Sequence, residues 1–177
     1  GTITVSNVID TSTGTGGALS ITGSVTVNAA ITAAGDNITL NGNAVGAFDL
    51  DINANIVSSA TLTLSAPRDI FVGALLQTTG AGADISLTAD SDLSGNGGVR
   101  VETAGQVVAV DQVTISGSDL NASGGGVVDS VDVQADGASV QVQGAGAILI
   151  NSGAAAPAAA ALLVDGFINA TGAATAT

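Results

Sequence analysis

The chain of 177 residues carries 15 acidic side chains and 2 basic ones, Arg68 and Arg100, for a formal charge of −13. Without lysine to neutralise phosphate, this balance speaks against nucleic acid and anionic lipid as partners, and no run of about twenty apolar residues is present to insert in a membrane as a helix. At 46% hydrophobic the chain is too apolar for acidic disorder, yet its apolar residues are small or β-branched, and only Phe48, Phe71 and Phe167 are aromatic.

Along the chain the dominant signal is alternation with period two. Ile3-Thr4-Val5, Leu19-Ser20-Ile21, Val25-Thr26-Val27, Ile38-Thr39-Leu40 and Leu50-Asp51-Ile52 come first. Leu62-Thr63-Leu64, Ile85-Ser86-Leu87, Val99-Arg100-Val101 and Val113-Thr114-Ile115 follow. The series ends with Val131-Asp132-Val133, Val140-Gln141-Val142 and Ile148-Leu149-Ile150. Alternation turns the apolar members to one face and Thr, Ser, Asp or Gln to the other. Gly, Asn and Asp punctuate the runs and permit tight turns. The Gly153–Ala161 run, GAAAPAAAA, holds Pro157 and lacks amphipathicity, which favours a bulging loop over a helix.

Short strands in this number fit a β-sandwich or a solenoid. Coil-like intervals favour the solenoid: Ile21 to Leu40 is 19 residues, Leu64 to Leu87 is 23 and Ile115 to Val133 is 18. An apolar element such as Val25–Val27, Ile70–Val72 or Leu120 lies within the intervals, so that one coil holds two or three short strands. The sequence thus predicts an all-β fold, a right-handed parallel β-helix (β-solenoid) of roughly eight or nine coils spanning residues 1–177 as one domain. At about 4.8 Å per stacked strand the rod would be on the order of 40 Å long. The competing sandwich would donate its first strand, Thr2–Ile9, to a neighbour.

The segment ATLTLSAPRDIFVGALLQTTGAGADISLTADSDLSGNGGV, residues Ala60–Val99, resembles the repeats of filamentous haemagglutinin-like two-partner-secreted exoproteins, and NAAITAAGDNITLNG at Asn28–Gly42 has the same cadence. The specific motif covers about forty residues; the style covers most of the chain. The resemblance implies a right-handed parallel β-helix, export to the cell surface, and roles in adhesion, biofilm or contact with other cells. It brings no catalytic residue. Residue 1 is not Met and no basic n-region precedes an apolar segment, so a mature product or an excised part is expected. Gly166–Thr177 followed by Gly1–Thr11 reads as continuous coil sequence without a polar capping helix, which predicts a repeat of a longer array and head-to-tail self-association.

The side chains present restrict the chemistry. With no His or Cys, neither a Ser-His nor a Cys-His pair nor a thiolate metal site can be built, and no cofactor motif is found. Lysine–asparagine crosslinks are excluded by the absence of lysine. The carboxylate pairs Asp49/Asp51, Asp90/Asp92 and Asp129/Asp132 have the composition used in glycoside hydrolysis, but few aromatic or basic groups accompany them, so they read as solvated strand faces or turns. No enzyme is therefore expected. Calcium is the sharpest alternative for the acids. Asp90-Ser91-Asp92-Leu93-Ser94-Gly95-Asn96 has the form of the start of a DxDxSG loop, with Asp90 and Asp92 as candidate ligands, although Val101 stands where an EF-hand has its twelfth-position Glu. Gly80-Ala81-Gly82-Ala83-Asp84 matches GxGxD once, without the nonapeptide repeats of calcium β-rolls. The simpler reading is Asx-turns.

Asn37-Ile38-Thr39, Asn121-Ala122-Ser123 and Asn169-Ala170-Thr171 fit the glycosylation pattern, as chance allows in a chain of this composition. Arg100 and Glu102 are expected on one outward face, close enough to pair. An ice-binding threonine ladder is disfavoured because Thr-x-Thr does not recur in register. The leading functional expectation is a structural segment of an extracellular bacterial fibre or adhesin. The alternative is a glycan- or receptor-binding module, with the inserts Asn41–Asp49 and Gly153–Ala161 as candidate loops.

Overall fold

A computed structural model describes residues 2–13, 17–42, 48–94, 96–118, 131–144, 146–152 and 162–170. Among them the chain forms three parallel sheets and no helix. The first sheet stacks β1 (Thr2–Val5), β4 (Ser24–Val27), β7 (Leu50–Ile52), β10 (Ile70–Val72), β13 (Val99–Val101), β16 (Val131–Val133) and β19 (Leu162–Val164). The second stacks β2 (Ile9–Asp10), β5 (Ile31–Ala33), β8 (Ile56–Ser58), β11 (Leu75–Thr78), β14 (Gln106–Ala109), β17 (Ser139–Val142) and β20 (Phe167–Ala170). The third stacks β3 (Leu19–Thr22), β6 (Ile38–Asn41), β9 (Leu62–Ser65), β12 (Ile85–Thr88), β15 (Val113–Gly117) and β18 (Ile148–Ser152). Successive strands thus visit the three sheets in strict rotation. The fold is a right-handed parallel β-helix.

Six complete coils and a seventh of two strands are described, against the eight or nine expected. The expectation overcounted because coils lengthen along the chain. Leu50 pairs with Ile70, 20 residues on, whereas Val99 pairs with Val131, 32 residues on. The interval from Ile115 to Val133 is not a coil: Ile115 pairs with Ile150, and Val133 belongs to another sheet, above Val101. At about 4.8 Å per step the stack is about 30 Å long. The donated-strand sandwich is also ruled out, because Thr2–Val5 pairs in parallel with Ser24–Val27 of its own chain. The Gly153–Ala161 insert, Leu120 and residues 43–47 of the Asn41–Asp49 insert lie outside the described residues.

The register makes the core a set of columns. Val25, Leu50, Ile70, Val99 and Val131 stack inside the first sheet, and Val27, Ile52, Val72, Val101 and Val133 run beside them. In the third sheet Leu40, Leu64, Leu87 and Ile115 are stacked and fully buried. Like side chains in adjacent coils pack without bulky anchors, which is why three phenylalanines suffice. One inward column of the second sheet is small and includes Ser58 and Thr78, both completely buried. Their hydroxyls serve the neighbouring turns. Ser58 Oγ donates to the Asp36 carbonyl at 3.0 Å, while Thr78 Oγ1 donates to the Ala83 carbonyl at 3.0 Å and accepts from the Val110 N–H at 3.1 Å.

The corners stack as tightly as the strands. A Cβ on Gly105 would lie 2.0 Å from the Val72 carbonyl oxygen, so any side chain there forces the turn apart. Polar side chains continue the ladder where strands stop. Before the third sheet, Asn37 Oδ1 accepts from the Thr61 N–H at 3.2 Å, and Asp84 Oδ1 accepts from the Gln112 N–H at 3.0 Å.

Burial falls off toward the first coil, where Ile9, Leu19 and Ile21 are only half-buried. Leu87→Ala in the interior is therefore expected to cost about 2–5 kcal/mol, as for other fully buried leucines. Ile21→Ala should cost clearly less. Urea denaturation of the two variants checks this, and equal losses would contradict the columnar account.

Candidate functional site

The outward column of the first sheet runs Thr4, Thr26, Asp51, Phe71, Arg100, Asp132 and Leu163. Strand alternation aims these side chains away from the core, and the register places Phe71 between Asp51 and Arg100 of the adjacent coils. Both cations of the chain belong to this region. Arg100 Nε reaches Asp132 Oδ2 at 2.8 Å, one coil on, a partner the sequence analysis did not foresee. The pairing follows from geometry: in-register neighbours of adjacent coils are closer than residues two apart along one strand.

Arg68 occupies the corner that leads into β10. Its guanidinium grips Asp49 of the preceding coil with both faces of the fork, Nε to Oδ1 at 2.6 Å and Nη2 to Oδ2, and its Nε lies 3.9 Å from Asp69 Oδ2. Asp49 Oδ1 also accepts from the Asp69 N–H at 3.1 Å, and Asp69 Oδ1 accepts from the Gly98 N–H at 2.9 Å. Three consecutive coils are thus joined at one corner by carboxylates that each cap the next coil's backbone.

Burial pushes the Asp51 carboxyl above its ordinary value, and Asp49 nearby adds to the shift against the opposing Thr26 hydroxyl and Arg68. Burial also pushes Asp69 up, opposed chiefly by the Gly98 N–H. The hydrogen bond to Asp49 pushes Arg68 up and keeps it cationic. These aspartates link coils through hydrogen bonds and an ion pair. The expected pair Asp49/Asp51 therefore sits together, but as part of a stacking network. Of the pair Asp129/Asp132, Asp132 is the partner of Arg100 and Asp129 lies outside the described residues.

Asp90 and Asp92 share the loop that follows β12 and emerges beside the Arg68 corner, where the Asp90 N–H donates to the Arg68 carbonyl at 3.2 Å. Asp90 has φ 53° and is buried. Its Oδ1 accepts from Ser94 Oγ at 3.2 Å and from the Asn96 N–H at 3.3 Å, and Asp92 Oδ1 accepts from the Ser94 N–H at 3.2 Å. Asp92 makes an Asx-turn with Ser94, whereas Asp90 reaches across the loop to Ser94 and Asn96, and a calcium ion there would compete with these donors. No group of three or more acidic side chains is placed to hold a metal ion among the described residues. Asp84 of the GxGxD match is committed to the Gln112 N–H. Of the glycosylation triplets, Asn37 faces solvent while bonding Thr61, and Asn121-Ala122-Ser123 and Thr171 lie outside the described residues.

Sequence reasoning did not find the Arg68–Asp49–Asp69 corner or the Arg100–Asp132 pair. The partners lie about one coil apart in sequence, and coil length varies too much for spacing alone to match them. No family model, no curated protein and no solved structure matches the chain.

The raised values of Asp51 and Asp69 set a pH dependence. A carboxyl whose folded value exceeds its unfolded one opposes folding once ionised. That penalty is complete above the raised value and gone below about 3.8. Acidification from neutrality toward pH 4 should therefore raise the melting temperature, and Asp51→Asn should flatten the rise. A melting temperature that falls steadily through this window would contradict the assignment.

Proposed function

We propose that the chain is a structural segment of an extracellular bacterial fibre or adhesin, a stiff β-helical rod that continues end to end. The observation that carries this reading is the unbroken register of all three ladders from the first described coil to the last. Stiffness follows from it, since bending the rod would have to break backbone ladders and core columns together. Among the described residues, the outer strands of the three sheets, β1, β2 and β3 at one end and β18, β19 and β20 at the other, each have one ladder partner. The inward side chains beside them are less buried than those of the inner coils: Ile3 is 37% exposed at one end, and Ile168 and Ala170 are half-buried at the other. Such edges template a further coil, whether of the same chain or of a second copy.

The resemblance of Ala60–Val99 to filamentous haemagglutinin-like repeats supports the same reading. LTLSAPRDIFV forms β9, the Arg68 corner and β10, and ISLT forms β12 directly above LTLS. The motif is thus a recipe for one corner and its flanking strands. In this reading the acidic surface keeps an exported rod soluble, and the work is mechanical: length, stiffness and association.

Purified protein at high concentration should form filaments with a repeat of about 4.8 Å along the long axis by fibre diffraction. Thr4→Pro on the edge strand β1 should shorten or abolish them without melting the inner coils. A strictly monomeric particle at all concentrations would sink the end-to-end model. The second reading, a glycan- or receptor-binding module, draws on Phe71 between Asp51 and Arg100. Glycan-array retention that is lost in Phe71→Ala, in the absence of filaments, would replace the fibre reading with this one.

A further inference from the structure

Two asparagines of the chain precede a glycine, Asn41 and Asn96. This neighbour favours spontaneous loss of the side-chain amide, because glycine has no side chain to keep its backbone nitrogen away from the asparagine Cγ. The two sites have opposite surroundings. Asn41 ends β6 in register between Thr22 and Ser65, and the Gly42 N–H donates to the Ser65 carbonyl at 2.6 Å. The Gly42 nitrogen is thus part of the ladder. Asn96 lies half-buried in the loop that joins β12 to β13, and the Gly97 N–H donates to no group among the described residues.

The fold also prevents Gly97 from being exchanged for a slower neighbour. A Cβ there would lie 2.4 Å from the Arg68 carbonyl oxygen and 2.6 Å from the Asp90 nitrogen, so only glycine passes the Arg68 corner. The chain is held on both sides of the Gly97 nitrogen. The Asn96 N–H donates to Asp90 Oδ1 at 3.3 Å, and the Gly97 carbonyl accepts from the Ser118 N–H at 2.9 Å. The Asn96 side chain is tethered more loosely, with Nδ2 3.5 Å from the Ser94 carbonyl oxygen.

We infer that Asn96 is a self-modification site, converted in the folded rod to aspartate and isoaspartate while Asn41 is preserved. The Gly97 nitrogen loses its proton to solvent base and attacks Asn96 Cγ. A new N–Cγ bond closes a succinimide ring, the bond from Cγ to Nδ2 breaks, and Nδ2 takes up a proton and leaves as ammonia. Water then opens the ring. Cleavage of the bond to Cγ gives aspartate, and cleavage of the bond to the main-chain carbonyl carbon gives isoaspartate. At Asn41 the same attack must first pull Gly42 out of the ladder, which slows it by about ten-fold, or about 1.4 kcal/mol in barrier.

The product changes the corner. Either form sets a new carboxylate beside Asp90, and isoaspartate lengthens the backbone by one atom. The next residues carry the Ser118 bond at Gly97 and the Gly98 N–H that donates to Asp69 Oδ1 at 2.9 Å, so the Arg68 corner loosens as the protein ages.

The test is mass spectrometry of the intact folded chain, incubated near neutral pH and then denatured and digested. Trypsin cleaves after Arg68 and Arg100, so the two sites fall in separate peptides, 1–68 and 69–100, and Asn96 is the one asparagine of the second. Peptide 69–100 should gain about 1 Da and split into aspartate and isoaspartate forms. Its rate should rise with pH, while Asn41, located by fragmentation, lags by about ten-fold. In urea the two asparagines should react at comparable rates, because only the fold distinguishes them. Asn96→Gln should keep its melting temperature through the incubation as wild type loses some, and Asn96→Asp should melt below fresh wild type. A folded-state peptide 69–100 that stays unmodified while the urea-treated chain reacts, equal folded-state rates at Asn41 and Asn96, or a rate independent of pH would each overturn the inference.

Discussion

Everything in this molecule depends on in-register parallel pairing. Once Leu62 pairs with Ile85, and Ile85 with Val113, the core is no longer a three-dimensional puzzle but a set of columns. Each column asks only that the next coil supply a residue of similar size. Small β-branched residues meet that demand repeatedly, and a large aromatic would have to be matched by space in the coils above and below. The same constraint explains the tolerance for insertions. Extra residues between β12 and β13, or between β15 and β16, leave the ladder without shifting it, because register is fixed again at the next strand. Stability is then close to a sum over neighbouring coils, weakest where a coil has one neighbour.

Corners are where a parallel stack is vulnerable, since turns do not make regular ladders. Here carboxylates and amides complete them. Asn37, Asp49, Asp69 and Asp84 each accept a backbone N–H of the following coil. Much of the acidity that looks like a surface property in the sequence is thus part of the vertical hydrogen bonding. Arg68 resolves a corner where Asp49, Asp51 and Asp69 crowd, and it does so from outside the core, half-buried, with its fork on Asp49. Charge is consequently concentrated along the first sheet and the corners. The described outward ladders of the second and third sheets carry little charge, Asp10 being the acid in the second, while the first is tied up in ion pairs.

Much of the fold was legible in the linear sequence. Alternation named twelve of the twenty described strands but only β17 of the second sheet, and the twin intervals Ile21 to Leu40 and Leu64 to Leu87 are true coil steps. The failures share one cause. Coil length is not constant, so any inference that needed to know which residue lies above which was unreliable. Ile115 was matched to Val133 in place of Ile150, and the pairing of Arg100 with Asp132 on the next coil was not foreseen. Asp90 and Asp92 share a loop as their spacing implies; the bond of Asp92 to Ser94 is an Asx-turn, while Asp90 bonds farther along the loop to Ser94 and Asn96. Local signals survived because they need no register.

Register is therefore the quantity to measure. The chain has no cysteine, so paired substitutions report on it without background. Thr63→Cys with Ser86→Cys places two thiols on adjacent coils of the third sheet, at a Cα separation of about 4.8 Å that a disulfide spans. Thr39→Cys with Ser86→Cys places them two coils apart, at about 9.6 Å, which it does not. The account predicts rapid intramolecular oxidation of the first pair and none of the second. Oxidation of the second pair in preference to the first would contradict the stacking on which the whole structure rests.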